Sequence, residues 1–453
     1  MRSSRTIAAI LAIASLGCGD RRPPEASEAG SSRSSVTAPG SASLDLDDDP
    51  LAYITRADYR RGVLERDLVD PSPIYARVRL RHYSLDHARG WEPLPIIDWP
   101  TVALTVDHAA SIAATKRLPE VEFGPPLASA YGSEDAPVNL PQTREAWVAL
   151  GERVFFEYPM SIAPVVGRAL RAGADLREYG IIEHDGAYVG VRIGEFDGRP
   201  HLALTCAICH ASVGDDGIVS GVRANRAYDL GRLRLDHGGA HERELVDATA
   251  AEHLHELGPG RSDVQRDQEF NPYAFPDFGG IADMPYLHHT ANWYHRGVAT
   301  LAIRVETVFM TRGRVSDRPP RVLMWALAEY LRSLPPPPPV AEPSPQSERG
   351  RQVFEAEGCD ACHEPPLFTT TSRPTLDEIG TDPAAGRSRL RGTGYWRVPS
   401  LRGVGGNAPY LHHGAFATLE QMFEPSRAEP GHRYGLELDD GARADLLAFL
   451  RTI

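Results

Sequence analysis

One set of short segments occurs twice in this 453-residue chain, in the same order, and this repetition most constrains how the chain can fold. Four matches in one order indicate an internal duplication. Each unit opens and closes with a segment of helical apolar periodicity, so we expect two similar, mainly α-helical domains. The matching segments are GERVFF (151–156) and GRQVFE (350–355), CAICH (206–210) and CDACH (359–363), PYLHH with a following ATL (285–301 and 409–419), and LAEYLRSL (327–334) and LLAFLRTI (446–453).

Each unit contains the sequence C-x-x-C-H. This spacing lets two thiols form thioethers to the vinyl groups of a haem while the next residue, histidine, binds its iron. A zinc ribbon is disfavoured because its two cysteine pairs lie about 15–20 residues apart, whereas these pairs are far more widely separated. A thioredoxin-like redox pair needs no histidine directly after it. The sequence therefore predicts two covalently bound c-type haems. Their predicted ligand sets are Cys206, Cys209 and His210, and Cys359, Cys362 and His363.

The first 18 residues have the composition of an export signal. Two arginines precede an apolar run at 7–16, which is too short to span a bilayer as a permanent helix. The run ends in SLGC, which resembles a bacterial lipoprotein signal with Cys18 as the lipidated residue. Cleaved secretion without a lipid is the alternative. Both predict a periplasmic protein, and the first anchors it to a bacterial membrane.

Composition divides the rest of the chain. The stretch 19–50 is rich in Ser, Pro, Gly and acidic residues, which predicts a disordered tether. The proline run at 335–346 cannot be helical and predicts a stiff linker. Strand-like alternation at 188–205 predicts a hairpin around Asp197-Gly198. The predicted order is an export signal (1–18), a tether (19–50), a mixed N-terminal extension (51–142), cytochrome c domain 1 (143–334), the linker (335–346) and cytochrome c domain 2 (347–453).

The formal net charge of −13 argues against nucleic-acid binding, which needs a basic surface. It favours a basic protein partner. The five cysteines are used up by the two C-x-x-C-H segments and Cys18, so no disulfide is predicted.

The segment WRVPSLRGVGGNAPYLHHGAFATLEQMF (396–423) resembles the bacterial di-haem cytochrome c peroxidase superfamily, including its rubber-oxygenase-like relatives. The shared patterns are Pro-x-Leu-Arg-(Asn/Gly)-Val, Pro-Tyr-x-His-x-Gly and Thr-Leu-Glu, and the resemblance covers roughly residues 143–453. It implies two cytochrome c folds packed face to face. Electrons would enter at haem 2 from a small cytochrome or cupredoxin and pass to haem 1, where peroxide or dioxygen reacts. The alternative is an electron carrier with both irons six-coordinate.

The sixth ligand of each iron decides between these functions. Cytochrome c folds usually supply it from the loop before the last helix, and in the second unit this loop contains His432. Met422 and a surface role for His432 are the alternatives. Ser426 stands where the superfamily peroxidases carry methionine. The first unit's loop contains no histidine, and its one soft ligand is Met310, for which core packing is the alternative.

Peroxide reduction at an open iron benefits from a nearby proton-transferring group. The resemblance implies that the PYLHH histidines lie near haem without necessarily binding iron. They serve there as supporting or helix-capping groups, proton donors or distal ligands. These histidines are His288 and His289 in the first copy and His412 and His413 in the second.

The superfamily's pattern Phe-Trp-Asp-Gly-Arg with Thr-Leu-Glu-Glu-Gln corresponds here to NWYHRGVATLAIR (292–304). Trp293 matches it, but the acid and glutamine positions do not. His295 and Glu306 are candidate substitutes, and the alternative for Glu306 is a solvated or helix-pairing residue. Trp293 and Trp396 are candidates for an electron path, with core packing as the alternative. The candidate catalytic residues are His288, His289, Trp293, His295 and Glu306.

Overall fold

The computed structural model describes residues 48–83, 89–239, 253–263, 270–312 and 317–453. The predicted export signal, Cys18 and most of the predicted tether lie outside these ranges. The structure is 41% helical and 13% strand, as expected for a mainly α chain. The described residues fall in one compact unit.

Helices form most of the framework. Their bounds within the described ranges are Pro50–Thr55, Ala57–Asp67, Ile74–His82, Val106–Thr115, Arg144–Glu157, Pro164–Ala172, Ala207–His210, Leu230–His237, Leu254–Leu257, Val298–Arg312, Arg321–Ser333, Pro345–Ala356, Leu376–Ile379, Pro383–Arg387, Leu419–Met422 and Asp440–Leu450. The strands are Thr101–Thr105, Gly132–Ser133, Ala136–Pro137, Ser161–Ile162, Glu183–His184, Ala187–Phe196, Arg199–Leu204, Ser212–Val213, Val219–Ser220, Arg261–Asp263 and Pro272–Ala274. No helix in the described part of the chain is long and apolar enough to cross a membrane.

The repeated segments at the start and end of each predicted unit lie in two packed helix pairs. In the first unit Arg144–Glu157 packs on Arg321–Ser333, and in the second Pro345–Ala356 packs on Asp440–Leu450. Each contact is closed by a glycine from the repeated GERVFF or GRQVFE segment. A Cβ on Gly151 would lie 1.9 Å from a backbone carbonyl oxygen of the partner helix, and one on Gly350 would meet the same obstacle at the same distance. Both helix pairs therefore require glycine at the crossing.

Substituting Gly350 by alanine is expected to destabilise the second unit by about 1–3 kcal/mol, because the added methyl must push apart two helix backbones. Urea unfolding of the holoprotein, followed by circular dichroism, measures this loss. Gly441→Ala is the matched control, since a Cβ there meets only the Asp439 carboxylate at 3.3 Å. Equal stability of the two variants would contradict a tight crossing at Gly350.

A sheet formed by the insertion in the first unit supports the first C-x-x-C-H segment. The predicted hairpin is confirmed: Ala187–Phe196 pairs antiparallel with Arg199–Leu204, and its turn residues Asp197 and Gly198 have positive φ. Thr101–Thr105 of the N-terminal extension adds an edge strand to this sheet. Gly190 approaches the first motif so closely that a Cβ would lie 2.2 Å from the Ile208 nitrogen. The sheet thus fixes the position of the first C-x-x-C-H segment in the fold.

Two predicted boundaries differ from the structure. The linker was expected to reach residue 346, yet a helix begins at Pro345, because proline suits the first helical position and Ser344 caps the helix by accepting from the Ser347 amide at 3.1 Å. The tether was expected to reach residue 50. Instead, Asp48 caps the helix Val298–Arg312 by accepting from its first two amides at 2.8 and 2.9 Å.

Buried ion pairs connect the N-terminal extension to the first unit. Arg321 lies 3.1 Å from Glu92, 3.1 Å from Glu134 and 3.2 Å from Glu306, and Glu92 also pairs with Arg60 at 2.7 Å. Four of these side chains are at most 3% exposed. Because removing one partner of a buried ion pair leaves an uncompensated charge, this network makes the extension an integral part of the fold.

Candidate functional site

The first C-x-x-C-H segment forms the short helix Ala207–His210. The His210 Nδ1 lies 3.0 Å from the Pro276 carbonyl oxygen and donates to it, since a carbonyl only accepts. Its ring stacks on Phe278 with the ring centres 4.3 Å apart. Burial lowers the pKa of His210 to about 4, so the ring is neutral at pH 7. A neutral imidazole with Nδ1 protonated presents Nε2 as a metal ligand.

The second segment repeats this arrangement on the 3-10 turn Cys359–Ala361. The His363 Nδ1 donates to the Phe368 carbonyl oxygen at 3.1 Å, and burial lowers the pKa of this histidine too. Both motif histidines therefore have the orientation and protonation state that iron ligation needs.

The four motif cysteines form no disulfide among the described residues. Burial raises the pKa of Cys206 to about 12 and that of Cys359 to about 11. A redox-active cysteine pair normally has a lowered thiol pKa. These thiols therefore do not fit thioredoxin-like exchange and do fit use as attachment points.

A second imidazole faces His363. The ring centres of His363 and His432 are 6.3 Å apart. Two imidazoles that bind one metal ion from opposite sides, each with a metal–nitrogen distance of about 2 Å, have ring centres about 6 Å apart. His432 has φ +42°, and Arg427 donates to its carbonyl at 3.1 Å, so the loop holds it in a left-handed conformation. Burial, and next the neighbouring His363, lower the pKa of His432 to about 4.

Met422, Ser426 and Met310 each have other contacts in the structure. Met422 packs against the apolar cluster of the second unit, and Ser426 donates to Glu424 at 3.1 Å. Met310 is 1% exposed within the core of the first unit, which fits its core-packing alternative.

The two PYLHH copies meet at the junction between the units. His289 of the first copy and His412 of the second both contact Tyr273, with ring centres 5.5 and 5.8 Å apart. Both also contact Trp396, at 6.1 and 4.7 Å. The motif therefore recurs because each unit contributes one histidine to a shared cluster of four rings, which we call the junction cluster. Tyr273 belongs to it without having stood out in the sequence.

His288 is not part of this cluster and is partly buried. Its ring meets Trp293 edge-on at 5.7 Å, and its Nε2 is buried with no hydrogen-bond partner among the described residues. Trp293 is fully buried in the large apolar cluster that also contains Ala207 and Ala211, three residues before and one residue after the first motif histidine. Burial, followed by the charges of Arg304 and Arg79, lowers the pKa of His288 well below its usual value.

The other two catalytic candidates have their polar atoms occupied. Arg332 donates to the His295 Nε2 at 2.8 Å, and the His295 Nδ1 donates to the Met284 carbonyl oxygen at 3.2 Å. Glu306 is fully buried and accepts from Arg321 at 3.2 Å and from the Tyr53 hydroxyl at 2.8 Å. The suggestion that Glu306 is a solvated residue is wrong, because this carboxylate neutralises a buried arginine.

Several side chains near the two motifs and the junction are partly buried, and burial is the main cause of a lowered pKa for each of them. Partly buried imidazoles beside apolar and aromatic side chains suit a planar apolar group with polar edges, such as haem. These residues are His210, His289, Arg397, His412 and His432.

In each of the two C-x-x-C-H sites, the histidine Nδ1 donates to a backbone carbonyl oxygen. This arrangement places the chain in the class of proteins built like c-type cytochromes. No protein-family profile matches the chain. It is 30% identical over 112 residues to the cytochrome c551 peroxidase of Nitrosomonas europaea. That alignment covers 23% of this chain and 33% of the relative, so the chain matches about a third of the relative's length. The match confirms the resemblance to the di-haem cytochrome c peroxidase superfamily.

The similarities to solved structures are weaker than this sequence match. The diheme peroxidase BthA from Burkholderia thailandensis has a TM-score of 0.36 and 19% identity, over 70% of this chain and 87% of that one. A MauG-like protein associated with microbial copper homeostasis has a TM-score of 0.32 and 17% identity, over 70% and 90%. With TM-scores below 0.5, these similarities add nothing to the sequence match.

Proposed function

We propose that this chain is a di-haem c-type cytochrome that receives electrons at haem 2 and reduces peroxide at haem 1. The observation that carries this proposal is an asymmetry between the two sites. His363 faces a second imidazole, whereas the aromatic contacts of His210 in the described structure are with Phe275 and Phe278. A haem iron supplies the electron exchange and, where its sixth position is open, a place for peroxide to bind.

Cys359 and Cys362 would hold haem 2 through thioethers, and His363 and His432 through their imidazoles. A haem with two imidazole ligands would leave no place for substrate and would suit electron transfer. The neutral state of both rings supports this assignment, because a protonated imidazole cannot bind metal.

The junction cluster lies between the two units and provides a route for electrons. Trp396 contacts His289 of the first unit and His412 of the second. Aromatic contacts of this kind make a continuous packed path across the junction. Packing remains part of their role, because Trp396 is also buried against Leu376 and Ala385.

Cys206, Cys209 and His210 would hold haem 1. The chain must deliver the protons that peroxide reduction consumes there. One peroxide molecule takes up two electrons and two protons to give two waters. His288 is the proposed proton-handling side chain, since its Nε2 is buried, has no partner among the described residues and lies in a ring that contacts Trp293. Burial, and next the positive charges of Arg304 and Arg79, lower the pKa of this imidazole and keep it neutral, so it can accept a proton from peroxide.

Substituting His288 by glutamine is expected to lower peroxide turnover about a hundredfold, since proton transfer by a positioned side chain contributes about 10²-fold or more. Turnover is measured with reduced donor protein, and the visible spectra of both haems should stay unchanged. His184→Gln, at a partly exposed site beside Asp185, is the matched control. Full turnover in the His288 variant would remove it from the mechanism.

The donor is a small cytochrome or cupredoxin, and an acidic chain of net charge −13 suits a donor with a basic docking face. The proposed location is the periplasm, with a lipid on Cys18. Substituting Cys18 by alanine should release the protein from the membrane fraction, and unchanged membrane association would contradict the anchor.

Electron paramagnetic resonance on the holoprotein tests the proposal, first fully oxidised and then half-reduced. A high-spin ferric signal in either state, together with peroxide turnover, is the expected result. Two low-spin signals in both states would instead establish the electron carrier, in which both irons are six-coordinate.

A further inference from the structure

Arg397 is a desolvated cation without an anionic partner among the described residues. One of its terminal nitrogens donates to the Tyr286 carbonyl oxygen at 2.8 Å, while its Nε is buried and unpartnered. Burial alone lowers the pKa of Arg397 to about 10. The buried Arg60, in contrast, has the Glu92 carboxylate at 2.7 Å. Since an unpaired buried charge is costly, the surroundings of Arg397 call for an anion.

The position of Arg397 narrows the choice of that anion. Its backbone amide donates to the His289 carbonyl oxygen at 2.8 Å, which places it at the junction. The next residue, Val398, accepts from the Thr369 hydroxyl at 2.6 Å. Thr369 directly follows Phe368, whose carbonyl orients His363. Arg397 therefore lies on a strip of chain that runs beside the second C-x-x-C-H site.

Arg391 is a second cation whose Nε is buried without a partner among the described residues, and its guanidinium lies over the Tyr75 ring at 5.1 Å. After burial, the charges of Arg397 and Arg391 contribute to the lowered pKa of His289. Arg397 differs from Arg391 in having no aromatic ring recorded beneath its guanidinium in the described part of the chain. A forked guanidinium donor suits a planar, doubly accepting group such as a carboxylate.

We infer that Arg397 binds a propionate of haem 2 and thereby fixes this haem at the junction between the units. A haem brings two carboxylates of its own, so the anion arrives with the cofactor that His363 binds. This inference rests on the proposed haem at Cys359, Cys362 and His363. It does not depend on peroxide turnover. Arg397 acts here as a positioning residue.

Two variants of the holoprotein test the inference. Arg397→Met removes the cation, and Arg397→Lys keeps the charge but loses the fork. The midpoint potential of each haem is measured by spectroelectrochemistry, and the propionate bands by resonance Raman spectroscopy. In the methionine variant the haem 2 potential is expected to fall, because removing a nearby cation favours the ferric state, and the propionate bands should shift. In the lysine variant the potential should largely recover while the bands stay shifted.

Arg349→Met is the matched control. It removes the same charge from a 57%-exposed side chain that pairs with Asp445 at 2.8 Å, so both readouts should stay at their wild-type values. Wild-type potentials and bands in Arg397→Met would overturn the inference. A shift confined to haem 1 would overturn the assignment to haem 2. If Arg397→Met fails to retain haem, the lysine variant decides the question. Wild-type propionate bands in Arg397→Lys would then overturn the inference. A protein that reduces no peroxide still gives these answers.

Discussion

Replacing Cys206 and Cys209 together by serine is expected to leave one covalently bound haem per chain and to reduce peroxide turnover to background. Both thioethers of haem 1 need these sulfurs, and the proposed reaction occurs at that iron. The remaining haem should keep its low-spin spectrum, because His363 and His432 lie in the other unit. Mass spectrometry of the intact chain counts the haems, and a steady-state assay with reduced donor measures turnover.

The equivalent double variant, Cys359→Ser with Cys362→Ser, is the matched control for this experiment. It should also leave one haem, but it should remove the low-spin signal and keep the high-spin one. If the Cys206 and Cys209 variant still turned over peroxide at the wild-type rate, the assignment of the reacting haem would be wrong. The two variants together therefore separate the roles of the two sites.

Substituting His432 by alanine is expected to convert haem 2 from low spin to high spin, because the ring that faces His363 at 6.3 Å is removed. Substituting it by methionine should raise the haem 2 midpoint potential, since His/Met ligation has a higher potential than bis-histidine ligation. Visible spectroscopy and a redox titration measure these changes. Met422→Leu, which alters only an apolar contact, should leave both unchanged. A low-spin haem 2 in His432→Ala would exclude His432 as ligand.

The sequence contained enough to locate the two C-x-x-C-H sites and the hairpin at Asp197-Gly198, because these depend on spacing and turn chemistry within a few residues. It also suggested His432, whose position in the loop before the last helix is a local property. The contact between Gly151 and its partner helix was not foreseen, although this residue lies inside the repeated GERVFF segment. Glycine there is explained only by the 1.9 Å approach of another helix.

Partners distant in sequence account for most of what was missed. Glu306 neutralises Arg321 and accepts from Tyr53, 253 residues away, and no pattern around Glu306 indicates such a partner. Arg397 stands beside Trp396 in a segment that was recognised, yet a buried arginine and a surface arginine look alike in a sequence. The meeting of His289 and His412 likewise depends on how two units pack, which periodicity within each unit does not determine.

The buried ion pairs of the N-terminal extension also have a consequence for biosynthesis. Arg60, Glu92 and Glu134 leave the ribosome long before Glu306 and Arg321. A nascent chain that has not reached the helix Arg321–Ser333 lacks the guanidinium around which three carboxylates gather. Without that helix Glu92 would keep its pair with Arg60, whereas Glu306 would be buried without its arginine, at a cost of several kcal/mol. The extension therefore reaches its final packing only after the helix Arg321–Ser333 has been made.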